Sequence, residues 1–120
     1  MLFRSIHFLG FSNDVPQLMM ASDLSVSSSS QEGLPVYLLE ALMAGLPIIA
    51  TNSRGHADLV EEGVNGYIVD VADKSQFAEK TTELYKDVVL RNNLASSSTR
   101  RLDGYRISDI MSLMRDLYGE

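Results

Sequence analysis

The sequence has no cysteine, so disulfides and thiolate metal sites are excluded, and a reducing compartment suits it. Its two histidines, His7 and His56, stand too far apart in the chain to form a ligand pattern. Basic residues are few: 10 Lys and Arg against 16 Asp and Glu give a net charge of −6. Apart from Arg100-Arg101 they are scattered, which argues against a nucleic-acid-binding face. An acidic domain can still hold an anion where backbone amides supply the local field. No apolar run approaches the roughly 20 residues of a membrane span, and the opening MLFRSIHFLGF is too short and too broken for a signal peptide. The expected location is the cytoplasm. There is neither a GxGxxG fingerprint nor a P-loop lysine, so neither a dinucleotide site nor an ATP-hydrolysing site is indicated.

What the sequence does contain is an ordinary globular composition, 45% hydrophobic and 22% charged over 120 residues. That is one domain, small for a self-contained enzyme. Apolar runs alternate with helical periodicity, the rhythm of βαβ units around a parallel sheet. We expect four strands, near 6–10, 23–27, 47–51 and 67–70. The run at 47–51, Pro-Ile-Ile-Ala-Thr, lacks polar alternation, as a central strand covered on both faces should. Helices are expected over 14–21, 35–44, 56–62 and 75–89, then over 90–101, weakened by Ser96-Ser97-Ser98, and over 109–118 behind a Ser108 cap. Asn52 to Gly55 reads as a loop. Gly45 is placed to end the helix that begins at Pro35. The four serines 27–30 read as a strand-end loop rather than a flexible linker. The whole is α/β, with an α/β core over 6–73 and a helical tail over 74–120.

The chemistry concentrates in Ser27 to Thr51, SSSSQEGLPVYLLEALMAGLPIIAT. Glu32 and Glu40 lie eight positions apart where a loop enters a helix. A helix start facing out from the carboxyl ends of parallel strands is a natural phosphate seat. Pro35 has no N–H, so the useful amides are those of Gly33, Leu34, Val36 and Tyr37. A plainer reading stays open, in which Glu32 is a first-turn acid favoured by the helix dipole and Glu40 a solvated helix position. Against it, Glu40 sits between Leu38-Leu39 and Ala41-Leu42, which suggests a buried carboxylate in need of partners such as ribose hydroxyls. His7, on an apolar run, reads as a satisfied structural histidine. Arg54 and His56 follow a central strand, where ligands of open sheets bind, but they also read as ordinary loop residues. Tyr85, Tyr105 and Tyr118 are expected to pack.

The order of these residues resembles a known family. Gln31-Glu32-Gly33-Leu34-Pro35, then Glu40-Ala41-Leu42-Met43-Ala44-Gly45-Leu46-Pro47, is similar to the Glu-x7-Glu signature of the group 1 glycosyltransferases, glycosyltransferase family four. Asn13 to Leu18 and Ala21 to Leu24 before it, and Asp58-Leu59-Val60 to Val69 after it, extend the resemblance over about 6–73; the tail fits more loosely. The resemblance implies an incomplete Rossmann-like sheet from the C-terminal half of a two-domain, GT-B type enzyme. It implies a UDP- or GDP-linked sugar donor, retention of configuration, no metal and no other cofactor. By the same analogy Glu40 binds ribose and Glu32 contacts the donor sugar. The amides of Gly33, Leu34, Val36 and Tyr37 meet sugar or phosphate, and Thr51, Arg54 and Gly55 line the nucleotide pocket. Many members carry Gly-Gly and Glu where Arg54-Gly55 and Asp58 stand, which leaves the role of Arg54 open. The chain is therefore expected to be part of a longer transferase, inactive alone, whose N-terminal acceptor domain and diphosphate-neutralising basic residues lie elsewhere. Two alternatives remain: a nucleotide-sugar epimerase of the same fold, or a non-catalytic binding module. Exposed sheet edges also permit an oligomer.

Overall fold

The computed structural model describes residues 6–31, 33–102 and 108. Strands β1 (Ser25–Ser27), β2 (Ile48–Thr51) and β3 (Gly66–Val69) form a parallel sheet in that order, with Ile48 opposite both Ser25 and Gly66. Helix α1 (Val15–Met20) precedes β1, α2 (Val36–Met43) links β1 to β2, and α3 (Arg54–Leu59) links β2 to β3. Then follow α4 (Lys74–Lys86), α5 (Val88–Ser98) and a 3-10 turn, Thr99–Leu102.

All four residues of β2 are buried, as its unbroken apolar run predicts. Alternation along the strands sorts the core into two layers. Ile48 and Ala50 pack under Leu38, Leu39, Ala41 and Leu42 of α2 and Leu59 of α3. Ile49, Tyr67 and Val69 pack on the opposite side against Leu84 of α4 and Leu94 of α5. Helices α4 and α5 thus cover the second face of the sheet. Ser98 shows how closely they dock: it is fully buried, and its hydroxyl donates to the Leu46 carbonyl at 2.7 Å. The serine triplet that weakens this helix on propensity is tolerated because one member makes a tertiary bond.

The end of α2 follows from its sequence. Gly45 takes φ +72°, its N–H donates to Leu42 O, and the Leu46 N–H reaches back to Ala41 O, the paired bonds of a Schellman stop. After α3, fully buried Asn65 closes the turn into β3 by accepting from the Glu61 N–H at 2.7 Å and donating to Leu59 O at 2.9 Å.

Several expectations need correction. The described residues form three strands, not four: 6–10 is irregular and exposed, with Phe8 97% accessible. His7 is accordingly an exposed residue and not a satisfied core histidine. The Asn52 to Gly55 loop and the helix at 56–62 shift, because Ser53 takes the extended N-cap conformation and α3 runs from Arg54 to Leu59. A single helix over 75–89 is broken at Asp87, whose side chain accepts from the Leu90 N–H at 2.9 Å and so starts α5. Val88 and Val89, on the apolar side of that expected helix, are exposed instead, as is Tyr85. The expected 109–118 helix, Tyr105 and Tyr118 lie outside the described residues.

The Asp87 break gives a simple test. Asp87→Ala removes the cap and is expected to cost about 1 kcal/mol in urea unfolding, with Asp87→Asn nearly neutral.

On the α4 face Lys80 bonds Glu83 at 3.1 Å and lies 4.4 Å from the Tyr67 ring centroid. The hydrogen bond to Glu83 holds the Lys80 ammonium above its usual range, and burial pushes the Tyr67 phenol up. Both shifts act only at alkaline pH. The stability Lys80 gains is present below its unfolded pKa and is lost as pH rises through the folded one.

Candidate functional site

The carboxyl ends of β1, β2 and β3 open on one edge of the sheet, where β1 leads into the serine loop and α2 begins. Pro35 is the buried N-cap residue of α2, and its carbonyl accepts from the Leu38 and Leu39 amides at 3.0 and 3.3 Å. The amides of Val36 and Tyr37 therefore come before the first intrahelical bonds. Gly33, Leu34 and Val36 are exposed, so this turn is presented to solvent.

Glu40 is exposed, which corrects the expectation of a buried carboxylate. The apolar circumference of α2 is incomplete: Val36 and Met43 are 60% and 59% accessible, so the helix has an open side. Glu40 lies on that side, at the lip of a groove of about 420 Å³ between α1 and α2, with Pro16, Met19, Met20 and Met43. A helical Cβ tilts toward the N-terminus, which directs the Glu40 side chain back toward the first turn. Glu32 lies outside the described residues.

A second groove, of about 330 Å³, touches the ends of all three strands through Ser28, Thr51 and Asp70, and is walled by Lys74 and Phe77 of α4. Thr51 is buried, and its hydroxyl donates to the Ser29 carbonyl, so it ties down the serine loop as well as lining this groove. Arg54 is exposed and Gly55 buried at the start of α3. Lys74, a basic residue at the open edge that sequence reasoning passed over, is marked only by its place just after the Asp73 cap. A cleft of about 720 Å³ at Ser22, Asp23, Tyr85 and Arg91 lies at the opposite end of the sheet, before β1 begins. Among the described residues no three of His, Cys, Asp and Glu gather to hold a metal.

His56, read from sequence as a ligand contact or a loop residue at the end of a central strand, is instead a buried hub. It is fully buried, and its Nδ1–H donates to the Thr51 carbonyl at 2.6 Å. A carbonyl can only accept, so in the neutral ring Nε2 is left as an acceptor. The hydroxyls of Ser27 and Tyr37 each lie 3.0 Å from it and 2.7 Å from one another. One hydroxyl donates to Nε2 and the other donates to the first, so two hydrogen bonds link the ring to β1 and α2. The Ser27–His56 pair is not a hydrolytic dyad: the ring is inaccessible, and a backbone carbonyl stands where the orienting carboxylate would be. Nothing at single-sequence level marks this network, because Ser27 and Tyr37 lie 29 and 19 residues away. Beside it the buried Ser53 hydroxyl makes no hydrogen bond among the described residues.

Comparison with known proteins fits this architecture. The chain is 32% identical over 111 residues to the "Putative glycosyltransferase EpsD" of Bacillus subtilis, covering 92% of this chain and 29% of that protein. It is 33% identical over 119 residues to an Escherichia coli "UDP-Gal:alpha-D-GlcNAc-diphosphoundecaprenol alpha-1,3-galactosyltransferase", covering 98% and 30%. Among solved structures it is similar to Anabaena HepE in complex with UDP (TM-score 0.87, 27% identity, 99% of this chain and 34% of that one). It is also similar to the C-terminal domain of the group 1 protein LpcC from Francisella tularensis (TM-score 0.73, 30% identity, 85% and 53%). The chain thus spans about three tenths of the length of these curated relatives. Its fold is that of the C-terminal half of a GT-B glycosyltransferase. With residues 2–101 matching the family described as "Glycosyl transferases group 1", the chain belongs to that family.

Proposed function

We propose that this chain is the donor-binding portion of a retaining glycosyltransferase that moves a sugar from a UDP- or GDP-linked donor to a saccharide or lipid-linked acceptor. Cell-surface or exported polysaccharide assembly is the setting we favour, and the cytoplasm the compartment. One observation carries the reading. An exposed carboxylate, Glu40, stands on the same helix as a solvent-facing first turn, at the ligand-binding edge of a parallel sheet. The diphosphate meets the amides of Gly33, Leu34, Val36 and Tyr37. Glu40 accepts from the ribose hydroxyls, and the methionine-walled groove beside it offers apolar surface to the nucleoside. Glu32 contacts the donor sugar. Thr51, Arg54 and Gly55 border the pocket, and no metal takes part in our reading. UDP bound to HepE, and the UDP-galactose named for the E. coli relative, support a uridine nucleotide.

The acceptor site and most of the basic residues that neutralise the diphosphate belong to the rest of the enzyme, so this portion alone is expected not to transfer sugar. Among the described residues β1 is paired on one side only, and Val26 is 50% accessible; we place the remainder of the sheet along that edge. No helix among the described residues is long and apolar enough to cross a membrane.

The test is calorimetric titration of the full-length protein with UDP, GDP and ADP. One of the first two is expected to bind, and Glu40→Ala to weaken it by about 10- to 100-fold through loss of charge-assisted bonds to two hydroxyls. Unchanged affinity in Glu40→Ala would remove Glu40 from the site. NMR of the product anomer checks retention.

A further inference from the structure

We propose that His56 is a positioning residue for the donor site, setting the first turn of α2 and the serine loop against the end of β2. The inference rests on the donor-binding reading above and adds to it a residue that never touches the donor.

Full burial keeps the imidazole from any ligand. What it holds are the three pieces of backbone on which the proposed diphosphate and sugar contacts depend. Nδ1 is fixed on the Thr51 carbonyl at the end of β2. Nε2 faces Tyr37, the second residue of α2, and Ser27, the last residue of β1 before the loop that leads to Glu32. The Thr51 hydroxyl adds a second tie from β2 to that loop through the Ser29 carbonyl. The far end of α2 is held separately, by its Schellman stop and by Ser98 on Leu46. His56 therefore governs the amino-terminal end of α2 and leaves the other end alone.

Such an arrangement has a selective consequence. An anion seated on first-turn amides needs them within hydrogen-bond geometry, and losing one bond to a charged group costs about 1.5–3 kcal/mol, roughly 10- to 100-fold in affinity. The nucleoside, by contrast, leans on Glu40 and on the groove of Met19, Met20 and Met43, beyond the first turn. Loosening the network penalises the phosphates and spares the nucleoside. A histidine that merely stabilised the fold would weaken both alike.

Tyr37→Phe and Ser27→Ala each remove one hydroxyl from the network and keep every backbone amide, so the test does not depend on the folding of His56→Ala. UDP and uridine are titrated into the full-length wild type and both variants by calorimetry, with melting temperatures recorded. The expected result is a rise of about 10-fold in the UDP Kd of Tyr37→Phe, with uridine changed by less than about two-fold. Ser27→Ala should follow the same pattern. Equal loss for UDP and uridine, or no loss for either, overturns the positioning role and leaves donor binding standing. A wild type that binds neither UDP nor GDP overturns the donor reading, and this inference falls with it.

Discussion

Gly66→Ala is expected to destabilise this domain severely. Gly66 opens β3 opposite Ile48 of the central strand. A Cβ built there would sit 1.8 Å from the Ile48 carbonyl oxygen and 2.7 Å from its carbon. Both obstacles are backbone, so no rotamer change relieves them; the strands must separate. The same glycine accepts from the Gly63 N–H at 2.9 Å and bridges to Glu62, so its backbone is tied to the turn before it as well. Forced overpacking against a ladder should cost about 3 kcal/mol or more, against a total stability of roughly 5–15 kcal/mol. Melting temperature should fall by about 10 °C or more in a domain of this size. A loss under about 1 kcal/mol in urea unfolding would show that β2 and β3 do not approach as described.

His56→Ala is the second large effect. Removing the ring empties a fully buried volume and takes the donor from the Thr51 carbonyl and the acceptor from Ser27 and Tyr37. The two hydroxyls keep each other, but the carbonyl does not regain a partner in a site closed to water. Cavity and unmet carbonyl together should cost about 3–5 kcal/mol, read as a lowered denaturation midpoint. A loss below about 1 kcal/mol would mean that the ring is not the hub of the network.

These two residues show where sequence reading stops. The central strand was legible because five residues without polar alternation demand cover on both sides, and Ile48 to Thr51 are all buried. The stop of α2 was legible because only a residue free to take positive φ ends a helix as Gly45 does. Gly66 enters a strand from a turn, a place where glycine is ordinary. Its actual constraint is the approach of β2, 18 residues earlier, which no local pattern encodes. His56 read as a ligand contact or a loop residue because Ser27 and Tyr37 reach it only through tertiary structure. The Asp87 break was hidden by apolar residues on both sides of it, Leu84 and Tyr85 before and Val88 and Val89 after, of which only Leu84 is buried. Glu40 was misjudged for a related reason: leucines on either side of it face the core, while its own position faces out. That exposure suits a ligand contact better than burial would.

The central claim is that the open carboxyl edge of the sheet holds a nucleotide through α2. The most direct measurement is a crystal structure of the full-length protein with UDP. Diphosphate oxygens are expected at the amides of the 33–37 turn, with ribose hydroxyls within hydrogen-bond reach of Glu40. UDP lodged instead in the cleft at Ser22, Asp23 and Arg91, or bound with Glu40 making no contact to it, would contradict the account.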